Sequence, residues 1–183
     1  MNEQTVVLVK PDGVRRGIVG EILSRFERVG LKVVAMKMVW VDEKFVGKHY
    51  RDDAKWYQSV GERLLKFYEE NGKDPGEDLG TKDPIELGKK VRKWLFTYIT
   101  SGPVVALLLQ APHAVELTRK LVGETYPLTA APGTIRGDYH YDSPFLSNLS
   151  HRSVQNLVHA SGSKEEALFE KKLWFKKEEI YSY

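Results

Sequence analysis

Six consecutive apolar residues, Val104-Val105-Ala106-Leu107-Leu108-Leu109, constrain this chain more than any other feature. The run follows Ser101-Gly102-Pro103 and has no polar alternation, so it predicts a strand buried on both faces. It is far shorter than the roughly 20 residues that cross a bilayer. Thr5-Val6-Val7-Leu8-Val9 predicts a second buried strand. That strand stops at Lys10-Pro11-Asp12-Gly13, because Pro11 has no N–H for a ladder and Asp-Gly favours a turn. Leu31 to Val41 alternates only in part and predicts a long strand with both faces partly covered.

Helical patterns lie between these runs. Ile18, Ile22, Leu23, Phe26 and Val29 make one apolar face, which Gly30 can end. A short helix is expected from Asp42-Glu43-Lys44 toward His49-Tyr50. Trp56, Tyr57, Val60, Leu64, Leu65 and Tyr68 have helical spacing, Asn71 to Gly76 breaks the chain, and Pro84 opens another helix. This stretch reads as a helical hairpin or lid set into the domain. Pro112 to Val122 supplies a crossover helix, and Tyr126 to Asn156 is a long, weakly periodic segment rich in Gly, Pro, Ser and Asp. Leu157-Val158-His159 predicts a brief strand. Ser163 with Glu166 fits a capping box opening a helix that runs to Trp174. The order of elements suggests an α+β sandwich with helices over one face of a small sheet.

The composition fits a folded domain, with 42% hydrophobic and 29% charged residues over 183 positions, enough for one sizeable core. The absence of cysteine excludes disulfides, thiolate nucleophiles and sulfur-ligated metal centres. A net charge of +3 is too small to imply nucleic acid, and no recognition motif for it is evident. Met1-Asn2-Glu3-Gln4 leads straight into a strand without the pattern of a signal peptide, so a cytoplasmic protein with no membrane partner is expected.

Several enzyme classes lack their motifs here. There is no Gly-x-x-x-x-Gly-Lys-Ser/Thr loop, no Gly-x-Gly-x-x-Gly, no His-Glu-x-x-His and no Gly-x-Ser-x-Gly elbow. His113, His140, His151 and His159 lack metal-ligand spacing. What remains is a set of cations and polar groups at element ends: Lys10 after a buried strand, Arg119 on the crossover helix with Thr125 beyond it, Arg136 between glycines, and Asn156 and His159 around the last strand. Brought together, they would form a cleft suited to phosphate oxygens. Taken singly, each also fits a solvated or structural role. For a single histidine beside apolar residues, as His159 is, the default is a satisfied structural group; against it stands a nucleophile, with Glu170 returning from the next helix to fix the ring and Ser161 bonding that carboxylate.

The chain resembles the nucleoside diphosphate kinase family, in particular archaeal-looking members with extra loops. The resemblance rests on Val9-Lys10-Pro11-Asp12-Gly13-Val14 with Arg16-Gly17, His49-Tyr50, Ser101-Gly102-Pro103-Val104-Val105-Ala106 and Leu121-Val122-Gly123-Glu124-Thr125-Tyr126-Pro127. It continues with Pro132-Gly133-Thr134-Ile135-Arg136-Gly137-Asp138, Asn156-Leu157-Val158-His159-Ala160-Ser161 and Leu173-Trp174-Phe175. It implies a ferredoxin-like βαββαβ sandwich with a small antiparallel sheet. One domain would span residues 1–183, with a helical insertion at about 51–89 and a loop insertion at about 139–153.

The resemblance also implies a reaction. A γ-phosphoryl group would pass from ATP or another nucleoside triphosphate to a nucleoside diphosphate, in ping-pong fashion through phosphohistidine at His159, balancing CTP, GTP, UTP and the deoxynucleoside triphosphates. Lys10 and Arg136 would contact the reacting phosphates, Arg119 and Thr125 the distal ones, and Asn156 with Lys10 the ribose hydroxyl region. Tyr50 would support the site, as would Glu170 and Ser161 through the histidine. Mg²⁺ would arrive on the nucleotide phosphates, and a homohexamer built from dimers is expected. The alternative is a regulatory or nucleic-acid-binding homologue with little turnover, although no dedicated nucleic-acid partner is expected.

Four positions depart from the family's pattern. Ala160 stands where glycine is usual, Gly162 where aspartate is, and Gln155 where arginine is. Val91 aligns with the phenylalanine that commonly stacks on the base; Trp56, Tyr57 or Trp94 could substitute for it, although all three read first as core residues.

Overall fold

The two apolar runs pair with each other. In a computed structural model that describes residues 2–50 and 52–183, strand β1 (Glu3–Val9) lies antiparallel to β3 (Val104–Ala111), with Val7 opposite Leu107. Met1 and Arg51, the expected first residue of the helical insertion, lie outside the described residues. β2 (Lys32–Val39) flanks β3 and β4 (Val158–Ala160) flanks β1, giving the order β2-β3-β1-β4 with every pairing antiparallel. The fold is an α+β ferredoxin-like sandwich.

Successive residues of β1 enter different cores, as strand geometry requires. Val7 and Val9 join Leu107 and Leu109 beneath α2 (Val19–Glu27) and α7 (Ala114–Val122), through Ile22, Phe26, Ala114 and Val122. Val6 and Leu8 join Ala106 and Leu108 against Val46 of α3 (Glu43–His49), Ile99 of α6 (Pro84–Thr100) and Trp174 of α10 (Lys164–Trp174). Helices therefore cover both faces of the sheet, not one as the element order suggested. Strands without polar alternation leave no face that water could cover. β2 differs in the other direction: Met36 and Met38 are 56% and 59% exposed, because this edge strand carries a register shift at Val33–Ala35 and has one face uncovered in the single chain.

Between α3 and β3 the chain forms a pair of long helices. α4 (Ala54–Glu70), begun by the cap of Asp53, packs on α6, begun by Asp83 and Pro84. Their backbones touch at two glycines. A Cβ on Gly61 would lie 1.8 Å from the Pro84 carbonyl oxygen, and one on Gly88 would lie 2.3 Å from that of Tyr57. Leu64, Tyr68 and Leu87 form a small core of their own there, with Val91 and Trp94 against it. α5 (Pro75–Leu79) occupies the break between the two helices.

The long segment before β4 is more ordered than its weak periodicity suggested. It holds α8 (Ile135–Tyr139), capped by Thr134, and α9 (Pro144–Leu149), capped by Ser143. Both are too short to show a helical period. α1 (Pro11–Arg15) completes the set directly after β1.

Candidate active site

Lys10 is the first residue beyond β1, and β4 lies beside it with His159 opposite Leu8. The Lys10 N–H donates to the Leu157 carbonyl at 2.7 Å, and the Leu157 N–H donates to Asp12 Oδ2 at 3.1 Å. Leu157 is held at φ 67°, and the Val158 N–H donates back to Asn156 O at 2.7 Å, so Asn156–Val158 is a γ-turn with a left-handed central residue. Such strain persists only where the surroundings over-determine it. Here it turns the chain abruptly into β4, immediately before His159.

Lys10 and Asn156 meet directly, the ammonium donating to Asn156 Oδ1 at 2.7 Å while Asn156 Nδ2 donates to Thr125 O at 2.9 Å. The Lys10 side chain is buried beside the Tyr98 ring, and burial together with the Arg136 charge brings its pKa down to about 7. Arg136 enters from α8. Its guanidinium donates to four carbonyls, those of Gly123, Glu124, Asn156 and Val158, at 2.7 to 3.1 Å. That cage ties three segments of the site together and leaves at most one of the five N–H groups for a ligand. Burial lowers the Arg136 pKa to about 10.

The His159 ring is 15% exposed and places Nε2 2.7 Å from Glu170 Oε1. Ser161 Oγ donates to Glu170 Oε2 at 2.7 Å, so both carboxylate oxygens are engaged. Burial, and next the Lys10 charge, hold the imidazole pKa below its ordinary value and keep the ring neutral. A neutral ring donating from Nε2 carries its lone pair on Nδ1. Burial raises the Glu170 carboxyl, and burial raises the Tyr50 phenol. The backbone accommodates Ala160, since positive φ outside glycine is confined among the described residues to His113, His151 and Leu157. The expected capping box is rearranged. The Glu166 N–H donates to Ser163 Oγ at 3.2 Å, but the Glu166 carboxylate accepts from the Gly162 N–H at 2.6 Å.

A cleft of about 1080 Å³ joins these groups. One end is lined by Lys10, Tyr50, Arg119, Thr125, Arg136, Asn156 and His159; the other by apolar residues of α4 and α6, among them Leu64, Phe67, Val91 and Trp94. Of the aromatic candidates, Trp56 and Trp94 reach the cleft, whereas Tyr57 is buried at 5% exposure. A cationic end and an apolar end are the two halves that a nucleotide needs.

His49, Asp12 and Tyr98 hold the site together although the sequence assigns none of them a role in it. The Asp12-Gly13 pair predicts only a turn, yet the Asp12 carboxylate anchors the Leu157 N–H, and Tyr98 Oη accepts from the Asn156 N–H at 3.2 Å. The adjacency of Asp12 to Lys10 was the available signal. Tyr98 offered none, being one aromatic on an apolar helix face.

The family model described as nucleoside diphosphate kinase matches residues 3–71 and 86–180. The chain is 50% identical over 178 residues to a nucleoside diphosphate kinase of Pyrobaculum aerophilum, covering 97% of each. It is 40% identical over 181 residues to that of Pyrococcus furiosus, covering 99% of this chain and 88% of the other. Among solved structures, an NDP kinase from Pyrobaculum aerophilum superposes with a TM-score of 0.96 at 48% identity over the whole of both chains. A nucleoside diphosphate kinase from Borrelia burgdorferi, described as a transition-state mimic with bound vanadate and ADP, superposes with a TM-score of 0.79 at 38% identity, covering 100% of this chain and 92% of that one.

Proposed function

The chain belongs to the nucleoside diphosphate kinase family and is an enzyme of that activity, and from that premise we propose that His159 carries the phosphoryl group between the two nucleotides. The observation that supports this most is the contact of His159 Nε2 with Glu170, which leaves a neutral Nδ1 as the free nitrogen of the ring. In the first half-reaction the Nδ1 lone pair attacks the γ-phosphorus. The bond to the bridging oxygen breaks, and its electrons leave on the nucleoside diphosphate. The second half-reaction reverses these steps with another diphosphate in the same cleft. The proton stays on Nε2, donated to Glu170, throughout, so no general base is needed.

Lys10 and the remaining N–H of Arg136 neutralise the charge spread over the transferred group. Arg119 and Thr125 bind the phosphates further out, Asn156 with Lys10 meets the ribose hydroxyls, and Tyr50, packed edge to face on His49, lines the cleft with His159. The base lies toward Val91, with Trp94 and Phe67 at the same apolar end. A regulatory or nucleic-acid-binding homologue with little turnover is not favoured.

Magnesium enters as part of the Mg²⁺–nucleotide substrate. The phosphate end of the cleft is lined by Lys10, Arg119 and Arg136 together with Glu124 and Glu166, and among the described residues these two carboxylates belong to no three-ligand group. Among the described residues, the one group able to hold an ion is His49, His159 and Glu170 behind the ring, a set with two nitrogens that does not suit a hard oxygen-seeking cation. We also propose one domain spanning residues 1–183, with insertions at about 51–89 and 139–153 that roof the apolar end of the cleft.

The proposed assembly is a homohexamer built from dimers, and the exposed Met36, Met38 and Trp40 at edge strand β2 supply an apolar surface for pairing. The proposed compartment is the cytoplasm, where nucleoside triphosphates are made and consumed. Among the described residues no helix is long and apolar enough to cross a membrane.

Initial rates with ATP and GDP varied together test the proposal. Parallel double-reciprocal lines, abolished in His159→Ala, are expected; intersecting lines would mean a ternary complex and no phosphoryl-enzyme.

A further inference from the structure

His49 is a buried histidine to which the phosphoryl transfer assigns no task. Its side chain is 2% exposed at the end of α3, between the Glu170 carboxylate and the Trp174 indole. Trp174 Nε1–H donates to His49 Nδ1 at 3.3 Å, so Nδ1 carries no proton and the proton of the neutral ring is on Nε2. That Nε2 is buried without a hydrogen-bond partner. An unpaired buried N–H is destabilising and calls for a reason. Here it follows from reserving Nδ1 as an acceptor.

The same Nδ1 lies 3.4 Å from Glu170 Oε1, the oxygen that His159 Nε2 approaches at 2.7 Å. The two imidazoles pack edge to face, with centroids 4.7 Å apart and planes at 80°. Burial, and next the charge that His159 would carry, bring the His49 pKa down to about 3, so the ring stays neutral beside the carboxylate.

We propose that His49 is a positioning residue for His159: a neutral nitrogen that takes the Trp174 N–H and offers Glu170 Oε1 no competing proton. Oε1 then accepts from His159 Nε2–H, while Ser161 holds Oε2. Pinning the His159 proton on Nε2 keeps the Nδ1 lone pair available to phosphorus. The inference rests on the reading of His159 as the phosphoryl carrier.

Two variants of the full chain separate this role from packing. His49→Asn puts an amide oxygen close to the Nδ1 position and keeps the acceptor while losing most of the ring. His49→Phe keeps a ring but loses the acceptor, which releases the Trp174 N–H to compete with His159 for Glu170 Oε1. Measured on each would be the rate of His159 phosphorylation by Mg·ATP, the KM for ATP, and the ¹⁵N shifts of the His159 imidazole. The expected result is a His49→Asn rate within about threefold of wild type, and a His49→Phe rate lower by on the order of tenfold or more at unchanged KM. His49→Phe should also show a measurable Nδ1–H tautomer of His159. A His49→Phe rate equal to wild type, or equal losses in the two variants, overturns the proposal.

Should His49→Phe fail to fold, Trp174→Phe asks the same question from the donor side. With the indole N–H gone, His49 Nδ1 can take a proton and donate it to Glu170, and the same loss at unchanged KM is expected; an unchanged rate overturns the proposal. Wild type is assayed in parallel. Failure of wild type to become labelled defeats the kinase reading itself, whereas labelled wild type with variants out of pattern defeats the role of His49 alone.

Discussion

His159 Nε2 lies 2.7 Å from Glu170 Oε1, and Ser161 Oγ donates to the other oxygen of the same carboxylate, also at 2.7 Å. The carboxylate is thereby fixed from both sides and in turn fixes the tautomer and tilt of the ring. Glu170 is buried at 2% exposure on α10, so its position is set by helix packing and not by solvent.

Replacing Glu170 with Gln keeps the shape and removes the charge. The variant is expected to phosphorylate on the order of 10- to 100-fold more slowly, with KM for ATP little changed, because the carboxylate acts on the ring and not on the nucleotide. Single-turnover rates as a function of ATP concentration check this. A rise in KM at constant maximal rate would contradict it.

Lys10 makes a proton-linked prediction. Its pKa is about 7 in the folded protein against an ordinary value of 10.5, so between those values the unfolded chain holds a proton that the folded chain does not. This group's contribution therefore makes stability rise with pH from about 7 to 10.5, and it is flat below that window. Phosphate beside the ammonium reverses the shift. ADP binding at about pH 8.5 should take up a proton, seen as heats that depend on the ionisation enthalpy of the buffer, and Lys10→Gln should abolish the dependence. Buffer-independent heats in wild type would contradict the assignment.

The contact between α4 and α6 has no room at its glycines. Gly61→Ala would bring Cβ to 1.8 Å from the Pro84 carbonyl oxygen, and the helices must separate to accept it. A loss of about 1–3 kcal/mol or more is expected from such overpacking. The wall of the apolar end moves with α4, so KM for nucleotides should rise while the phosphorylation rate at saturation holds. Thermal melts with and without ADP, together with KM, measure both effects; an unchanged melting temperature would contradict the packing described.

The four carbonyls around Arg136 predict that lysine cannot replace it. An ammonium has three donors and no planar fork, so Arg136→Lys leaves at least one of the carbonyls of Gly123, Glu124, Asn156 and Val158 without this partner. Stability should fall by about 1–3 kcal/mol, together with activity. Denaturant midpoints and turnover of the variant check this, and a wild-type midpoint would contradict it.

Legibility in the sequence followed the range of the interactions. Lys10, Arg136, Asn156, Ser161 and Glu170 lie in short local patterns whose spacing survives folding, and the strands around Val7 and Leu107 announced themselves by unbroken apolar runs. The Glu170–Ser161 contact was also readable, since a helix after a short strand brings residues nine positions apart together. The left-handed Leu157 was not, because its strain is imposed by Lys10 and Asp12 from more than 140 residues away. Nor was the Arg136 cage, which uses backbone carbonyls that every residue has. His49 belongs to a sequence motif that assigns it no role, since only the fold brings it against Trp174 and Glu170.

The central claim is that the phosphoryl group rests on His159. The direct measurement incubates wild type and His159→Ala with γ-labelled ATP and Mg²⁺, isolates the protein, and then adds unlabelled GDP. Acid-labile, base-stable label on wild type alone, discharged as labelled GTP, is the predicted result. Label on His159→Ala, or no label on either protein while both bind nucleotide, would contradict it.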